Sequence, residues 1–230
     1  MKNIFRGNRF VSHIPAASSC ENGGLVVLVH GLMHSGFYMM PLARYLAKHG
    51  YECFCYDYRT TRGDVRRHGE NFRQRLGELL AAHPGRKLHI VTHSLGGLVT
   101  RQALSDPAFP RERIGRVVML APPNRGSKVA SLCLKLIPGS RVLVRTLDDL
   151  SFGESSPVHR IPVPEGVEIG VMVASYDILV PRCSTALDGQ RDGVTVFSGH
   201  TYMMLRPNVM RQALAFLRDG RFIHPAPSAK

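Results

Sequence analysis

The segment Leu88–Gly97, with the sequence LHIVTHSLGG, places a serine directly after an apolar run of strand type. Gly96 and Gly97 follow Ser94, and small residues at these positions allow a strand and the next helix to approach closely around a sharp turn. Thr92 stands where a G-x-S-x-G pattern has its first glycine. A serine hydroxyl becomes an effective nucleophile when such a turn holds it beside a base. We therefore interpret Ser94 as the candidate nucleophile, which requires a base and an acid elsewhere in the chain.

A second apolar run, Leu25–Val29, ends in the turn His30-Gly31-Leu32. In acyl transfer the carbonyl oxygen of the substrate gains negative charge, and each backbone N–H group aimed at it is worth about 3 kcal/mol. Leu32 and Leu95 directly follow the His-Gly pair and the serine, so they are the natural donors of such an oxyanion hole. We interpret His30 itself as a buried residue that shapes the loop.

Candidates for the acid and the base lie downstream of the serine. Asp177 follows an apolar run over residues 167–175 and precedes a short apolar run that ends in a proline, which suits the acid of a catalytic triad. His200 follows the strand-type run Val194–Phe197, where a general base would lie on a loop. The sequence leaves alternatives open, namely His159 and His224 for the base, and Asp148, Asp149, Asp188 and Asp192 for the acid, with Asp192 as the second choice.

The candidate residues follow one another in the order oxyanion loop, Ser94, Asp177, His200. This order differs from the His-Asp-Ser and Asp-His-Ser orders of unrelated serine hydrolases. The chain thus resembles the α/β-hydrolase superfamily, and within it the small bacterial lipases and esterases with a His-Ser-x-Gly-Gly elbow. The segment Ala121–Ser127 resembles one that many of these lipases carry after the strand that follows the elbow. The matching segments extend from Leu25 to Phe216 and are specific for the superfamily, but not for a substrate.

A length of 230 residues fits one domain with a sizeable core, so we expect a single domain over residues 1–230. Strand-type and helical patterns alternate, which predicts a doubly wound, mostly parallel α/β sheet of about six strands with right-handed crossovers. The expected strands lie near residues 25–30, 51–57, 87–93, 114–121, 168–174 and 193–197, and the expected helices near 37–49, 68–83, 95–106 and 208–218. Ligands bind at the carboxyl ends of the strands in such sheets, where Leu32, Ser94, Asp177 and His200 all fall.

Residues 126–164 are additional to this alternation and precede the strand that bears the acid. We interpret them as a small helical lid over the pocket, and the alternative is that they pack on the edge of the sheet. Four apolar residues flank the candidate loops and would favour an aliphatic acyl group: Met33, Phe37, Met203 and Met204. The alternative for these four is core packing.

The net charge of the chain bears on the kinds of partner that it could bind. Thirty Lys and Arg against 17 Asp and Glu give a net charge of +13. Part of the excess is concentrated between residues 59 and 75, in Arg59, Arg62, Arg66, Arg67, Arg73 and Arg75. Such a face could attract an anionic membrane surface or acidic ligands, although a solvated basic helix is the more frequent role. We expect no binding of nucleic acid, because no such motif accompanies the arginines and the chain contains no tryptophan.

The N-terminus has no convincing signal peptide, and no apolar run approaches the roughly 20 residues of a membrane span, so we expect a cytoplasmic protein. Five cysteines, Cys20, Cys53, Cys55, Cys133 and Cys183, lack Cys-x-x-Cys spacing, which argues against a disulfide scaffold and against a zinc site. We expect reduced thiols, buried as small apolar groups, with Cys53 and Cys55 on one face of a strand.

These observations predict a serine hydrolase that cleaves carboxylic esters through an acyl-enzyme intermediate. The substrate would be a small-molecule or lipid ester, and neither a metal nor another cofactor is implied. A thioesterase or an acyltransferase is the alternative on the same triad. A non-catalytic protein that keeps the α/β-hydrolase pocket to bind a small molecule is the alternative from another class.

Overall fold

The computed structural model of the chain describes residues 8–17, 24–136, 139, 144–153 and 156–225. Within these residues, the chain forms one sheet with helices on both faces. The strands are β1 (Arg9–Ile14), β2 (Leu25–Val29), β3 (Glu52–Asp57), β4 (Leu88–His93), β5 (Ile114–Leu120), β6 (Glu168–Ala174) and β7 (Asp192–Val196). The helices are α1 (Met40–Lys48), α2 (Val65–Ala82), α3 (Leu95–Leu104), α4 (Lys128–Leu136), α5 (Thr146–Asp149), α6 (Arg182–Thr185) and α7 (Pro207–Asp219). Short 3-10 turns lie at Gly36–Met39, Arg111–Arg113, Pro157–Arg160 and Met203–Leu205.

The sheet has the strand order β1-β3-β2-β4-β5-β6-β7, and every pair except β1 with β3 is parallel. Successive side chains of the central strands enter opposite faces, as the period of two requires. Val27 and Ile90 pack in one apolar cluster, whereas Val26 and Val91 pack in the cluster on the other face. A parallel sheet buried on both faces explains why these strands are continuous apolar runs. The prediction of a doubly wound, mostly parallel sheet is confirmed.

The structure adds one strand to the six that the sequence predicted. β1 pairs antiparallel with β3, from Arg9 opposite Asp57 to Ile14 opposite Cys53, with an irregularity between Phe10 and Ser12. Its residues are mostly half-buried, which is typical of an edge strand. Because RFVSHI mixes apolar and polar side chains, it lacked the continuous apolar signal of the central strands.

The cysteines follow the prediction in part. Cys53 and Cys55 are unpaired and buried in the same apolar cluster, and burial raises the pKa of the Cys55 thiol to about 12. Cys183 is also unpaired but exposed, which contradicts the expectation of a buried thiol. It lies in the short helix α6 on the surface. Cys20 and the side chain of Cys133 lie outside the described residues.

Half of the six arginines between residues 59 and 75 have an acidic partner. The ion pairs join Arg66 to Glu70, Arg73 to Asp106 and Arg75 to Glu78. The other three arginines are exposed, and contact with an anionic membrane stays a prediction. In the part of the chain that the structure describes, no helix combines the length and the apolar character needed to cross a bilayer.

Candidate active site

Ser94 occupies a strained turn between β4 and α3. Its backbone has φ 50° and ψ −122°, a region that residues with a side chain rarely adopt. The Ser94 N–H donates to the carbonyl oxygen of Leu120 on β5 at 2.9 Å, so the turn is attached to the adjacent strand. Strain of this kind is retained where the surrounding structure holds it, and here it presents the serine at the carboxyl edge of the sheet.

Close packing around the serine requires glycine at two positions. A Cβ atom on Gly96 would lie 2.8 Å from two backbone carbonyl oxygens, those of Val29 and His30. A Cβ atom on Gly31 would lie 3.0 Å from the Cβ of Ser94. The loop after β2, which carries Leu32, therefore lies directly against the serine turn, which Leu95 follows. The role of these two residues as oxyanion donors stays a prediction.

Asp177 and His200 are hydrogen-bonded to each other at the same edge of the sheet. The Nδ1 of His200 donates to Oδ2 of Asp177 at 2.6 Å. The other oxygen, Oδ1, accepts the backbone N–H groups of Leu179 at 2.9 Å and Val180 at 2.8 Å. The carboxylate is only 1% exposed and the imidazole 9%, so the pair is shielded from water. A buried carboxylate with three donors stays oriented, and it holds the Nδ1–H tautomer of the imidazole.

Two of the alternative candidates for the acid and the base, Asp192 and His224, also bond each other, but at the opposite end of the strands. His224 Nε2 lies 3.0 Å from the Asp192 carboxylate. Asp192 begins β7, so the pair lies at the amino end of the strand, whereas Ser94 follows the carboxyl end of β4. The remaining candidates have other surroundings. Asp149 accepts the N–H of Val65, and Asp148 is half-buried next to it. Asp188 pairs with Arg125, and His159 is exposed.

The loop that carries Leu32 is organised by the ring of His30. The Nδ1 of His30 donates to the carbonyl oxygen of Gly31 at 2.9 Å, and Nε2 accepts the N–H of Tyr58 at 3.2 Å. One neutral tautomer satisfies both bonds. The Tyr58 hydroxyl donates to the His30 carbonyl oxygen at 3.0 Å, and Thr60 Oγ1 accepts the N–H of Met33 at 3.0 Å. His30 therefore shapes the loop as predicted, while the sequence reasoning missed Tyr58 and Thr60, which no motif marks.

His93, the residue before the serine, contacts the loop of the candidate base. Its Nε2 donates to the backbone carbonyl oxygen of His200 at 3.0 Å, and the two ring centroids are 4.8 Å apart. Burial lowers the pKa of His93 well below its usual range, so the ring is neutral and can keep one N–H for this bond. The sequence contained His93 within the elbow motif but carried no signal for this positioning contact.

A cavity of about 430 Å³ opens at Ser94 and His200. Its remaining lining is largely apolar and comprises Leu32, Met33, His34, His93, Pro123, Ser127, Val129, Ala130, Val144, Leu147, Leu150, Leu179, Val180 and Thr201. Met33 lines the cavity, but the other three residues predicted for the pocket do not. Met203 and Met204 are fully buried in the core, because the 3-10 turn after His200 directs them inward, and Phe37 is exposed.

The segment 126–164 contributes apolar walls to this cavity through α4, α5 and the residues beside them. Two hydrogen bonds attach α5 to the body of the protein. Thr146 Oγ1 donates to the Thr60 carbonyl oxygen at 3.0 Å, and Asp149 accepts the N–H of Val65 at 2.8 Å. The segment thus covers one side of the cavity, and a mobile lid stays a prediction.

Comparisons with known proteins agree with the fold described above. The model of the alpha/beta hydrolase family matches residues 26–201. The mature form of the Bacillus licheniformis lipase BlEst2 superposes with a TM-score of 0.69 at 17% identity, covering 92% of this chain and 96% of that one. Its propeptide form gives 0.75 at 17% identity, covering 98% of this chain, which spans only 56% of that longer one.

A monoacylglycerol lipase from Paleococcus ferrophilus gives a TM-score of 0.58 at 18% identity, covering 90% of this chain and 96% of that one. A comparison with curated proteins finds no match. Identities this low show the fold alone, whereas the family model spans most of the chain. The strained serine turn, the parallel sheet and this match together show that the protein belongs to the alpha/beta hydrolase family.

Proposed function

We propose that the protein is a serine hydrolase that cleaves carboxylic esters. The observation that carries the proposal is the buried Asp177–His200 pair at 2.6 Å, whose histidine lines the same cavity as a strained serine. Either feature alone has a structural explanation. A non-catalytic pocket needs neither a backbone strained at Ser94 nor a carboxylate buried against a histidine, so their meeting at one cavity favours catalysis.

The proposed reaction begins with the attack of Ser94 Oγ on the acyl carbon of the ester. His200 Nδ1 is held by Asp177, which leaves Nε2 to take the serine proton. The backbone N–H groups of Leu32 and Leu95 stabilise the negative charge on the carbonyl oxygen. His200 then protonates the departing alcohol, an acyl-serine forms, and a water activated by the same nitrogen releases the carboxylic acid.

The walls of the cavity favour an apolar acyl group. Apart from the polar residues next to Ser94, the lining is mainly aliphatic, and 430 Å³ is room for a sizeable chain. Met33, on the cavity lining, is 76% exposed, and Ile178, next to the lining residue Leu179, is 84% exposed. Exposed apolar groups at a pocket opening are typical of proteins that take substrates from an apolar phase, and we propose a lipid ester as the substrate class.

Hydrolysis of chromogenic esters from acetyl to palmitoyl, by the wild type and by Ser94→Ala, tests the proposal. We expect serine-dependent turnover that is fastest for acyl chains longer than acetyl, because burial of methylene groups in the apolar cavity stabilises the bound substrate. The same series offered as acyl-CoA tests the thioesterase alternative, and a large preference for the thioesters would reject the ester assignment.

A fluorophosphonate probe tests the alternative from another class. Covalent labelling of the wild type, and its loss in Ser94→Ala, is expected of an activated serine. A folded wild-type protein that turns over neither substrate series and resists the probe would instead be a binding protein.

A further inference from the structure

A second cavity of about 220 Å³ shares no lining residue with the cavity of the candidate active site. Its walls come from α3, from the loop after β5, from the end of the 126–164 segment and from the residues after α6. The charged or titratable residues that face it are Arg101, Arg125, His159 and Asp188. The cavity therefore combines two guanidinium groups and a histidine with one carboxylate.

Arg101 is the unusual member of this group. It is only 4% exposed, and among the described residues no carboxylate lies within ion-pair distance of it. One terminal nitrogen donates to Asn124 Oδ1 at 3.3 Å, the other donates to the carbonyl oxygen of Ile161, and Nε has no partner within the described residues. Neutral acceptors compensate a buried cation poorly, so this arrangement is costly unless an anion approaches it.

The charge of Arg101 persists at neutral pH despite this burial. Burial lowers the pKa of Arg101 to about 10, with a smaller opposing effect from Asp188. The guanidinium thus stays protonated under ordinary conditions, and the cavity wall carries a fixed positive charge.

A second cation, which is exposed, lies at the opening of the cavity. Arg125 is exposed, and its guanidinium lies 2.9 Å from the carboxylate of Asp188, whose side chain is 91% exposed. An exposed pair of this kind is worth about 1 kcal/mol or less, so Arg125 can exchange Asp188 for a stronger anion. His159 is exposed at the same opening.

We propose that this cavity binds a phosphoryl group, either as free phosphate or as part of a small organic phosphate. Guanidinium groups bind phosphate oxygens through charge-assisted, frequently bidentate hydrogen bonds. A phosphoryl group carries between one and two negative charges at neutral pH, which matches the two arginines. The volume of 220 Å³ admits this group with a few further atoms, but not a macromolecule. The site shares no residue with the candidate triad, so a binding test of this proposal does not depend on ester hydrolysis.

Isothermal titration calorimetry with inorganic phosphate and with glycerol 3-phosphate, at constant ionic strength in a chloride buffer, tests the proposal. We expect saturable binding of one ligand per chain. Arg125→Gln should weaken binding about tenfold, since it removes one charge-assisted bond. Asp188→Asn should tighten binding, because it removes the carboxylate that competes for Arg125. Arg101→Lys, which keeps the positive charge but loses the planar guanidinium that can form two parallel hydrogen bonds, should weaken binding by a similar factor.

Two variants on α7 control for net charge, since Arg211→Gln and Asp219→Asn make the same charge changes at exposed positions that do not line the cavity. Both should leave affinity within about twofold of the wild type, because neither side chain can contact a ligand in the cavity and salt screens exposed charges. Tighter binding of glycerol 3-phosphate would identify an organic phosphate as the ligand class, and equal or weaker binding would identify free phosphate. If the protein bound neither probe saturably, the proposal would be overturned, and Arg101 would have a structural role only. Effects of Arg125→Gln and Asp188→Asn no larger than those of the controls would overturn it as well.

Discussion

Replacing Asp177 with asparagine exchanges one carboxylate oxygen for an NH₂ group and should abolish most of the proposed activity. Oδ1 of Asp177 accepts two backbone N–H groups, so the single oxygen of an asparagine must take that position. The amide NH₂ then faces Nδ1 of His200, which has to become an acceptor. The imidazole proton moves to Nε2, and His200 can no longer take the proton of Ser94.

The size of this effect follows from the tautomer. An imidazole held in the wrong tautomer costs about 10⁴-fold in kcat in serine proteases, which corresponds to about 5 kcal/mol of transition-state stabilisation. We expect a similar loss for Asp177→Asn in the hydrolysis of the preferred chromogenic ester. Stability should change by no more than about 1 kcal/mol in urea unfolding, because every hydrogen-bonding position keeps a partner.

Asp192→Asn is the matched control, since Asp192 also combines backbone N–H donors with a histidine partner. This pair lies at the amino end of β7, so its loss should leave kcat within about twofold of the wild type. If Asp177→Asn retained a tenth of the wild-type kcat, or if both variants lost activity equally, the orientation of His200 by Asp177 would be refuted.

Three further substitutions test how the fold supports the site. Gly96→Ala should lower the free energy of unfolding by about 1–3 kcal/mol in urea, because its Cβ would lie 2.8 Å from two backbone carbonyl oxygens; an unchanged midpoint would contradict this packing. Thr60→Val removes the acceptor of the Met33 N–H and should lower kcat about tenfold with little change in KM, whereas a rise in KM alone would indicate a role in substrate binding only. Burial lowers the pKa of His68 to about 4 from an ordinary value of 6.5. As the pH falls, the ring is therefore protonated in the unfolded chain before it is protonated in the folded one. The free energy of unfolding is not reduced by this ring above pH 6.5, and it decreases as the pH falls from 6.5 toward 4. His68→Leu should remove about 2 kcal/mol of the stability lost between pH 7 and pH 5, measured by urea unfolding at both pH values, and an unchanged pH dependence would show that this ring is not the cause.

The central sheet and the serine turn were predictable because their signals are local. Buried parallel strands require continuous apolar runs such as Leu25–Val29, and the serine turn requires glycines at fixed offsets from Ser94. The edge strand β1 was missed because half-burial tolerates the mixed sequence RFVSHI. Met203 and Met204 were assigned to the pocket from their position next to His200, but adjacency in sequence does not specify which way a side chain points. The 3-10 turn places both in the core.

Local patterns were therefore sufficient for the fold class, for Ser94 as the nucleophile candidate and for the loop that bears Leu32. They could not select among five aspartates and three histidines, because all follow the serine and each lies near a turn or a strand end. Tertiary structure separates them, since His200, bonded to Asp177, lines the cavity that contains Ser94, whereas none of the alternative aspartates and histidines lines it. Asp177 follows β6 and His200 follows β7, so they form a pair at that edge, while Asp192 and His224 pair at the opposite one. Strand direction is a property of the assembled sheet, and for this reason the pairing of the candidate acid with the candidate base was decided only by the folded structure.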